Sequence, residues 1–186
     1  MSKKKNIVLW GHMASGKTSL GLALSNKLGL GFIDTDLWVE KKAKKSIRKI
    51  FEDRGEEAFR KLEAEVVQSL LGCRNQVIAV GGGAVENDQS LDTLVKLGWT
   101  VWINTPVKVL VQRLIDKPLE LEHRPLIASC LAGKLGPSEQ IDALEKLLTE
   151  DLNQRKVNFA KADIQVDGSL STIDTTSTYI SRSWQI

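Results

Sequence analysis

The sequence predicts an α/β fold, a parallel sheet with helices on both faces. Two patterns carry this reading. Short apolar runs alternate with segments of helical spacing along all 186 residues. The three clusters richest in chemistry, Gly11–Thr18, Asp34–Asp36 and Gly81–Gly83, each follow directly on a predicted strand. Strand–helix alternation gives parallel strands joined by helical crossovers. Ligands then gather at the C-terminal ends of the strands, so the three clusters are expected to share one site.

Each element follows from local pattern. Ile7-Val8-Leu9-Trp10 is a short apolar run of the kind that forms a buried strand. Thr18 to Leu28 is helical, with Leu20, Leu24 and Leu28 on one face. Gly31-Phe32-Ile33 leads into Asp34 as a second strand, and Ile47 to Leu71 has long helical periodicity that breaks near Gly55. Val77–Val80 is a third strand ending in three glycines. Leu91 to Leu97 and Val107 to Leu114 are short helices around a fourth strand, Trp99–Ile103. A helix from about Glu139 to Phe159, a weaker fifth strand at Ile164–Val166 and a last helix from Leu170 to Ile180 complete the chain. Trp10, Trp99 and Trp102 read as packing residues, and Trp38 as a wall of the substrate pocket. Residues 116–129 are polar, contain proline and lack periodicity; they read as a mobile loop, with a further loop over 131–137.

Composition narrows the class. No repeat, low-complexity tract or linker divides the sequence, so residues 1–186 read as one domain with a sizeable core. The net charge of +3 is too weak to argue for nucleic acid. Lys3-Lys4-Lys5 reads as a solvated tail. No stretch is long and apolar enough for a membrane span, and none has the build of a signal peptide. Cys73 and Cys130 lack metal or redox spacing and read as free thiols in a reducing compartment. A cytoplasmic protein without membrane or nucleic-acid partners is expected.

Gly11-His12-Met13-Ala14-Ser15-Gly16-Lys17-Thr18 has the spacing of a phosphate-binding loop between a strand and a helix. Such a turn lets backbone N–H groups converge on an anion at the positive end of a helix. Lys17 would reach the β- and γ-phosphates of a nucleotide, and the Thr18 hydroxyl would hold magnesium. His12 occupies a variable position, with no catalytic role expected. Asp34-Thr35-Asp36 sets two acids just past a strand. If strand geometry persists, both point to one side. One could steady the metal shell and the other orient an attacking hydroxyl; alternatively one caps a following helix. Gly81, Gly82 and Gly83 bring backbone close to a ligand or form a turn.

These motifs, in order, resemble those of the shikimate kinase family: GHMASGKT, FIDTD at 32–36, SIRKIFEDRGEEAFRKLE at 46–63, AVGGGAV at 79–85 and HRPLI at 123–127. The resemblance runs from about Asn6 to Val166. It implies a three-layer α/β/α P-loop kinase fold with a central five-stranded parallel sheet and a mobile lid over about 113–129. It implies transfer of the γ-phosphoryl group of ATP to the 3-hydroxyl of shikimate, with Mg2+, by a monomer. Catalytic roles fall on Lys17, Asp36 and Arg124. ATP contacts fall on Gly11, Ala14, Ser15, Gly16, Lys17, Thr18 and Ser19, with Arg113 near the adenine and Arg124 in the lid facing phosphate. Metal contacts fall on Thr18 and Asp34. Substrate contacts fall on Asp36, Gly81, Gly82, Gly83 and two carboxylate-binding arginines, Arg60 and Arg155, with Glu63 placed at i+3 to orient Arg60. The family carries Pro two residues after the second arginine and Tyr four after; here these are Val157 and Phe159, which leaves Lys156 and Lys161 as alternatives. A gluconate-type kinase and a silent kinase-like binding protein are the competing readings.

Overall fold

Five parallel strands lie in the order β2-β3-β1-β4-β5 in a computed structural model that describes residues 6–116, 127, 136–169 and 172–184. The strands are β1 (Ile7–Trp10), β2 (Gly31–Asp34), β3 (Gln76–Ala79), β4 (Trp99–Asn104) and β5 (Ile164–Asp167). The helices are α1 (Lys17–Leu28), α2 (Thr35–Ala43), α3 (Ile47–Ser69), α4 (Asp88–Leu97), α5 (Val107–Ile115), α6 (Pro137–Phe159) and α7 (Ile173–Trp184). A 3-10 turn occupies Ala84–Glu86.

β1 is fully buried because it lies between β3 and β4 with helices on both sides. Its side chains alternate between two cores, as period-2 geometry requires. Val8 and Trp10 pack with Ile78, Trp102, Val67 and Phe159, under α3, α4 and α6. Ile7 and Leu9 pack with Val77, Val101, Leu20, Leu24 and Ile180, under α1 and α7. A third cluster joins α5 to α6 and takes in Ile127, which is fully buried; the rest of the expected lid from 117 to 129, including His123 and Arg124, lies outside the described residues.

The structure departs from the periodicity reading where polar residues start helices. Strand geometry ends at Asp34, so Asp34 and Asp36 do not share a strand face. The Asp34 carboxylate accepts the Asp36 N–H at 3.0 Å and caps α2, a helix the apolar pattern did not reveal. Asn87 caps α4 in the same way, four residues before the first apolar position, Leu91. Within α3, Gly55 adopts φ 76° and ψ 177°. This breaks the helix where the spacing predicted, in a conformation that favours glycine.

One side chain pins the N-terminal edge of the sheet. Asn6 is fully buried. Its amide donates to Cys73 O at 2.9 Å and Leu97 O at 2.8 Å, and its carbonyl accepts from Gln76 N at 3.1 Å. It thereby joins the entries to β1, β3 and β4. Asn6→Ala orphans three backbone groups and is expected to lower unfolding free energy by about 2–4 kcal/mol, read from the urea midpoint at unchanged slope.

Candidate active site

A cavity of about 720 Å³ opens at the C-terminal rim of the sheet, lined by residues that follow all five strands. The phosphate loop forms its floor. Gly16, at φ 96°, turns the chain into α1, whose N-terminus carries no side-chain cap and no acid in its first turn. Unspent N–H groups and the helix dipole therefore favour an anion there. Lys17 Nζ donates to Gly11 O at 3.0 Å and His12 O at 2.9 Å. Arg113, from α5, donates through Nη1 to Ala14 O and Ser15 O, both at 3.2 Å, and through Nη2 to Gly168 O at 2.6 Å.

Two acids sit beside this floor. Thr18 Oγ1 donates to Asp34 Oδ2 at 2.9 Å. A hydroxyl and a carboxylate so close are hard oxygen donors of the type Mg2+ accepts, and that ion takes only one or two protein ligands beside phosphate and water. Among the described residues no cluster of three or more His, Cys, Asp or Glu could hold a metal. Between the acids, the buried Thr35 hydroxyl accepts the Gly81 N–H at 2.9 Å and locks the glycine turn against α2. A Cβ on Gly81 would lie 2.5 Å from Glu63 Oε1 and 2.7 Å from Asp36 Oδ1; one on Gly83 would overlap the Arg60 guanidinium. The glycines therefore line the cavity closely, against polar side chains.

Two guanidiniums face the opposite wall. Arg60 donates to Glu63 at 3.0 Å and to Glu56 at 2.9 Å, and lies over the Phe59 ring at 5.2 Å. Burial opposes its charge, but Glu63 and Glu56 more than offset this and hold its pKa above the ordinary value. Arg155 is 5% exposed and donates to Glu86 at 2.7 Å and Asp151 at 2.5 Å. Lys156 and Lys161 are exposed and do not line the cavity. Phe159 sits in the core, stacked on Trp102 at 5.9 Å, with its carbonyl accepting Trp10 Nε1 at 3.1 Å. Val157 is 72% exposed. The two departures from the family pattern thus leave the Arg155 face of α6 undisturbed.

Glu63 is the perturbed acid of the site. Burial pushes its pKa up to about 7; Arg60 pulls against the rise, Asp36 adds to it and Arg155 lowers it. Its Oε1 and the Ser15 hydroxyl are buried without hydrogen-bond partners among the described residues, and both residues line the cavity. Unmet buried acceptors at a cavity wall are groups that a ligand can satisfy.

The structure thus brings Lys17, Thr18, Asp34 and Asp36 into one cavity with Arg60, Arg155 and the glycines. Ser19, Arg113 and the rest of Ala14–Thr18 line it too, while Arg124 lies outside the described residues. Trp38 does not line it. The buried face of α2 is Thr35 and Val39, and Trp38 falls off that face, 40% exposed. Phe51 and Phe59 supply the aromatic wall instead, 5.0 Å apart. Thr35, Glu86 and Asp151 were not singled out by the sequence. For Thr35 a signal existed, a small hydroxyl between two site acids.

A family model described as shikimate kinase matches residues 13–183. A shikimate kinase of Chlorobium limicola is 35% identical over 176 residues, 95% of this chain and 84% of that protein. A structure of shikimate kinase from Acinetobacter baumannii in complex with shikimate superposes with a TM-score of 0.83 at 29% identity, covering 97% of this chain and 92% of that one. That of Bacteroides thetaiotaomicron gives 0.84 at 28% identity, over 98% and 99%.

Glu63 makes stability pH-dependent with a defined sign. Its pKa is raised in the folded state, so the stability it contributes is full below its ordinary value of 4.5 and is lost as pH rises through about 7. The unfolding free energy of the native protein minus that of Glu63→Gln is expected to fall by about 2–3 kcal/mol between about pH 4.5 and 8, in urea titrations across that range. A constant difference would remove the proposed titration.

Proposed function

This chain belongs to the shikimate kinase family, and we propose that its cavity transfers the γ-phosphoryl group of ATP to the 3-hydroxyl of shikimate, using the residues named above. The observation that carries the assignment is the meeting in one cavity of a phosphate loop with two arginines suited to a carboxylate, Arg155 buried and Arg60 half-buried. Guanidinium donors match the two oxygens of a carboxylate in a plane. A small acidic alcohol held by Arg60 and Arg155 would present a hydroxyl toward Asp36 and the loop.

The acceptor oxygen attacks the γ-phosphorus as the bond to the β–γ bridging oxygen breaks and ADP leaves. The hydroxyl proton passes to Asp36 or, if Asp36 only orients the group, to water. Alignment and charge neutralisation do most of this work. Lys17 supports the phosphate oxygens, and Arg124 is assigned the same task from the lid. Gly11, Ala14, Ser15, Gly16, Thr18 and Ser19 cradle the phosphates, and Arg113 holds the base end. Mg2+, held by Thr18 and Asp34, supplies charge neutralisation on the triphosphate when bound. Gly81, Gly82 and Gly83 form the backbone surface against the acceptor ring. We assign a monomer. Cys73 is free among the described residues, and none of their helices is long and apolar enough to cross a membrane; we assign a cytoplasmic setting.

ADP release, followed by a coupled assay with Mg2+, is expected with shikimate and absent with gluconate; the reverse result overturns the assignment. Arg60→Ala is expected to raise the KM for shikimate about a hundredfold and that for ATP less than about twofold. Equal weakening of both would remove Arg60 from the carboxylate site.

Asp36→Asn is expected to lower kcat by about a hundredfold or more while nucleotide affinity, by equilibrium titration, stays unchanged. Preserved turnover would exclude Asp36 as base or positioner.

A further inference from the structure

Beside the cavity, a buried chain of contacts runs from the phosphate loop to Arg155. His12 is 2% exposed, and its Nε2 lies 2.5 Å from Asp151 Oδ2. This is a close contact, not an aligned hydrogen bond. The same carboxylate oxygen accepts Arg155 Nη1 at 2.5 Å. From the other side Glu86 accepts Arg155 Nε at 2.7 Å.

We infer that Asp151 is a positioning residue for the acceptor carboxylate, aiming the Arg155 guanidinium from one side while His12 ties it to the phosphate loop on the other. The inference rests on the reading of Arg155 as a carboxylate ligand. A guanidinium has five N–H donors fixed in one plane. Glu86 and Asp151 take two of them, on Nε and Nη1, and clamp the plane at two points. The Nη2 group makes no hydrogen bond among the described residues, so both its donors and one of Nη1 are left for a ligand. Gly82 lies beside the Nη1 edge, where a Cβ would stand in ordinary van der Waals contact at 3.5 Å. A buried guanidinium held by Glu86 alone could swing about that contact, and a bidentate carboxylate pairing does not tolerate such a swing.

Asp151 is also an anion beside an anionic acceptor, so repulsion opposes orientation. His12 decides between them. Asp151 sets one oxygen against both Arg155 Nη1 and the His12 imidazole, so that oxygen is held on the side of the phosphate loop and away from the acceptor. Orientation is therefore the larger effect, and removing Asp151 weakens acceptor binding.

The test compares shikimate with its methyl ester, which keeps the ring and hydroxyls but lacks the charged carboxylate. Dissociation constants come from calorimetry and kcat from the coupled assay. Asp151→Ala is expected to weaken shikimate about tenfold and the ester less than about twofold, with the KM for ATP unchanged. His12→Ala weakens shikimate about threefold, and His12→Gln, whose amide can donate to Asp151, restores it. Should Asp151→Ala not fold, Asp151→Asn keeps the shape without the charge and is expected to weaken shikimate about threefold. Equal loss on acid and ester, or tighter binding of shikimate, overturns the inference. Arg155→Gln separates the two layers. If it treats acid and ester alike, the reading of Arg155 itself fails. If it discriminates and the Asp151 variants do not, only the positioning role falls.

Discussion

Parallel pairing on both sides of β1 is the constraint from which the site follows. With β3 on one edge of β1 and β4 on the other, in the same direction, every strand ends on the same rim. Polar clusters written directly after strands must then converge, whatever their separation in sequence. The burial of β1 enforces this arrangement. Ile7, Val8, Leu9 and Trp10 are all fully buried, and a strand apolar on both faces has no stable place at an edge or against solvent. The apolar run before Gly11 therefore delivers the phosphate loop to the middle of the rim.

Two guanidiniums in a pocket need partners when no ligand is bound, and the structure supplies more anions than cations. Arg60 is paired with Glu56 and Glu63, and Arg155 with Asp151 and Glu86. An incoming carboxylate must compete with groups of its own kind. The raised pKa of Glu63 eases this competition. A protonated Glu63 leaves more of the Arg60 charge to the ligand, and an anion arriving beside Glu63 favours that protonated form. The Phe59 ring under Arg60 keeps the guanidinium on the wall without adding a further anion.

What was legible in the sequence is what is local. GHMASGKT carries turn, helix start, cation and hydroxyl within eight consecutive residues, so its chemistry needs no tertiary contact to be read. The three glycines and the five strands are likewise contiguous signals. The residues that hold the site in register were not legible. Asp151 meets His12, and Glu86 meets Arg155, across wide sequence separations set by how α6 packs on the sheet. Trp38 failed for a related reason. Proximity to Asp36 in sequence suggested proximity in space, but the intervening turn is helical and rotates the ring away. Capping explains the third gap, since α2 begins on Asp34, a residue the apolar pattern treats as the end of a strand.

The phosphate loop is already set before any nucleotide arrives, and strain shows where the setting is needed. Ala14 has φ 58°, a left-handed conformation that disfavours a residue with a Cβ by about 1–2 kcal/mol. Arg113 holds it there by donating from one nitrogen to Ala14 O and Ser15 O. Lys17 holds the carbonyls of Gly11 and His12 in the same manner. In a trans peptide the carbonyl and the following N–H point in opposite directions, so four fixed carbonyls orient four amide groups. The second nitrogen of Arg113 grips Gly168 O beyond β5. One guanidinium therefore ties the loop after β1 to the turn after β5, and two strand ends that the sequence places more than a hundred residues apart act as one rigid wall.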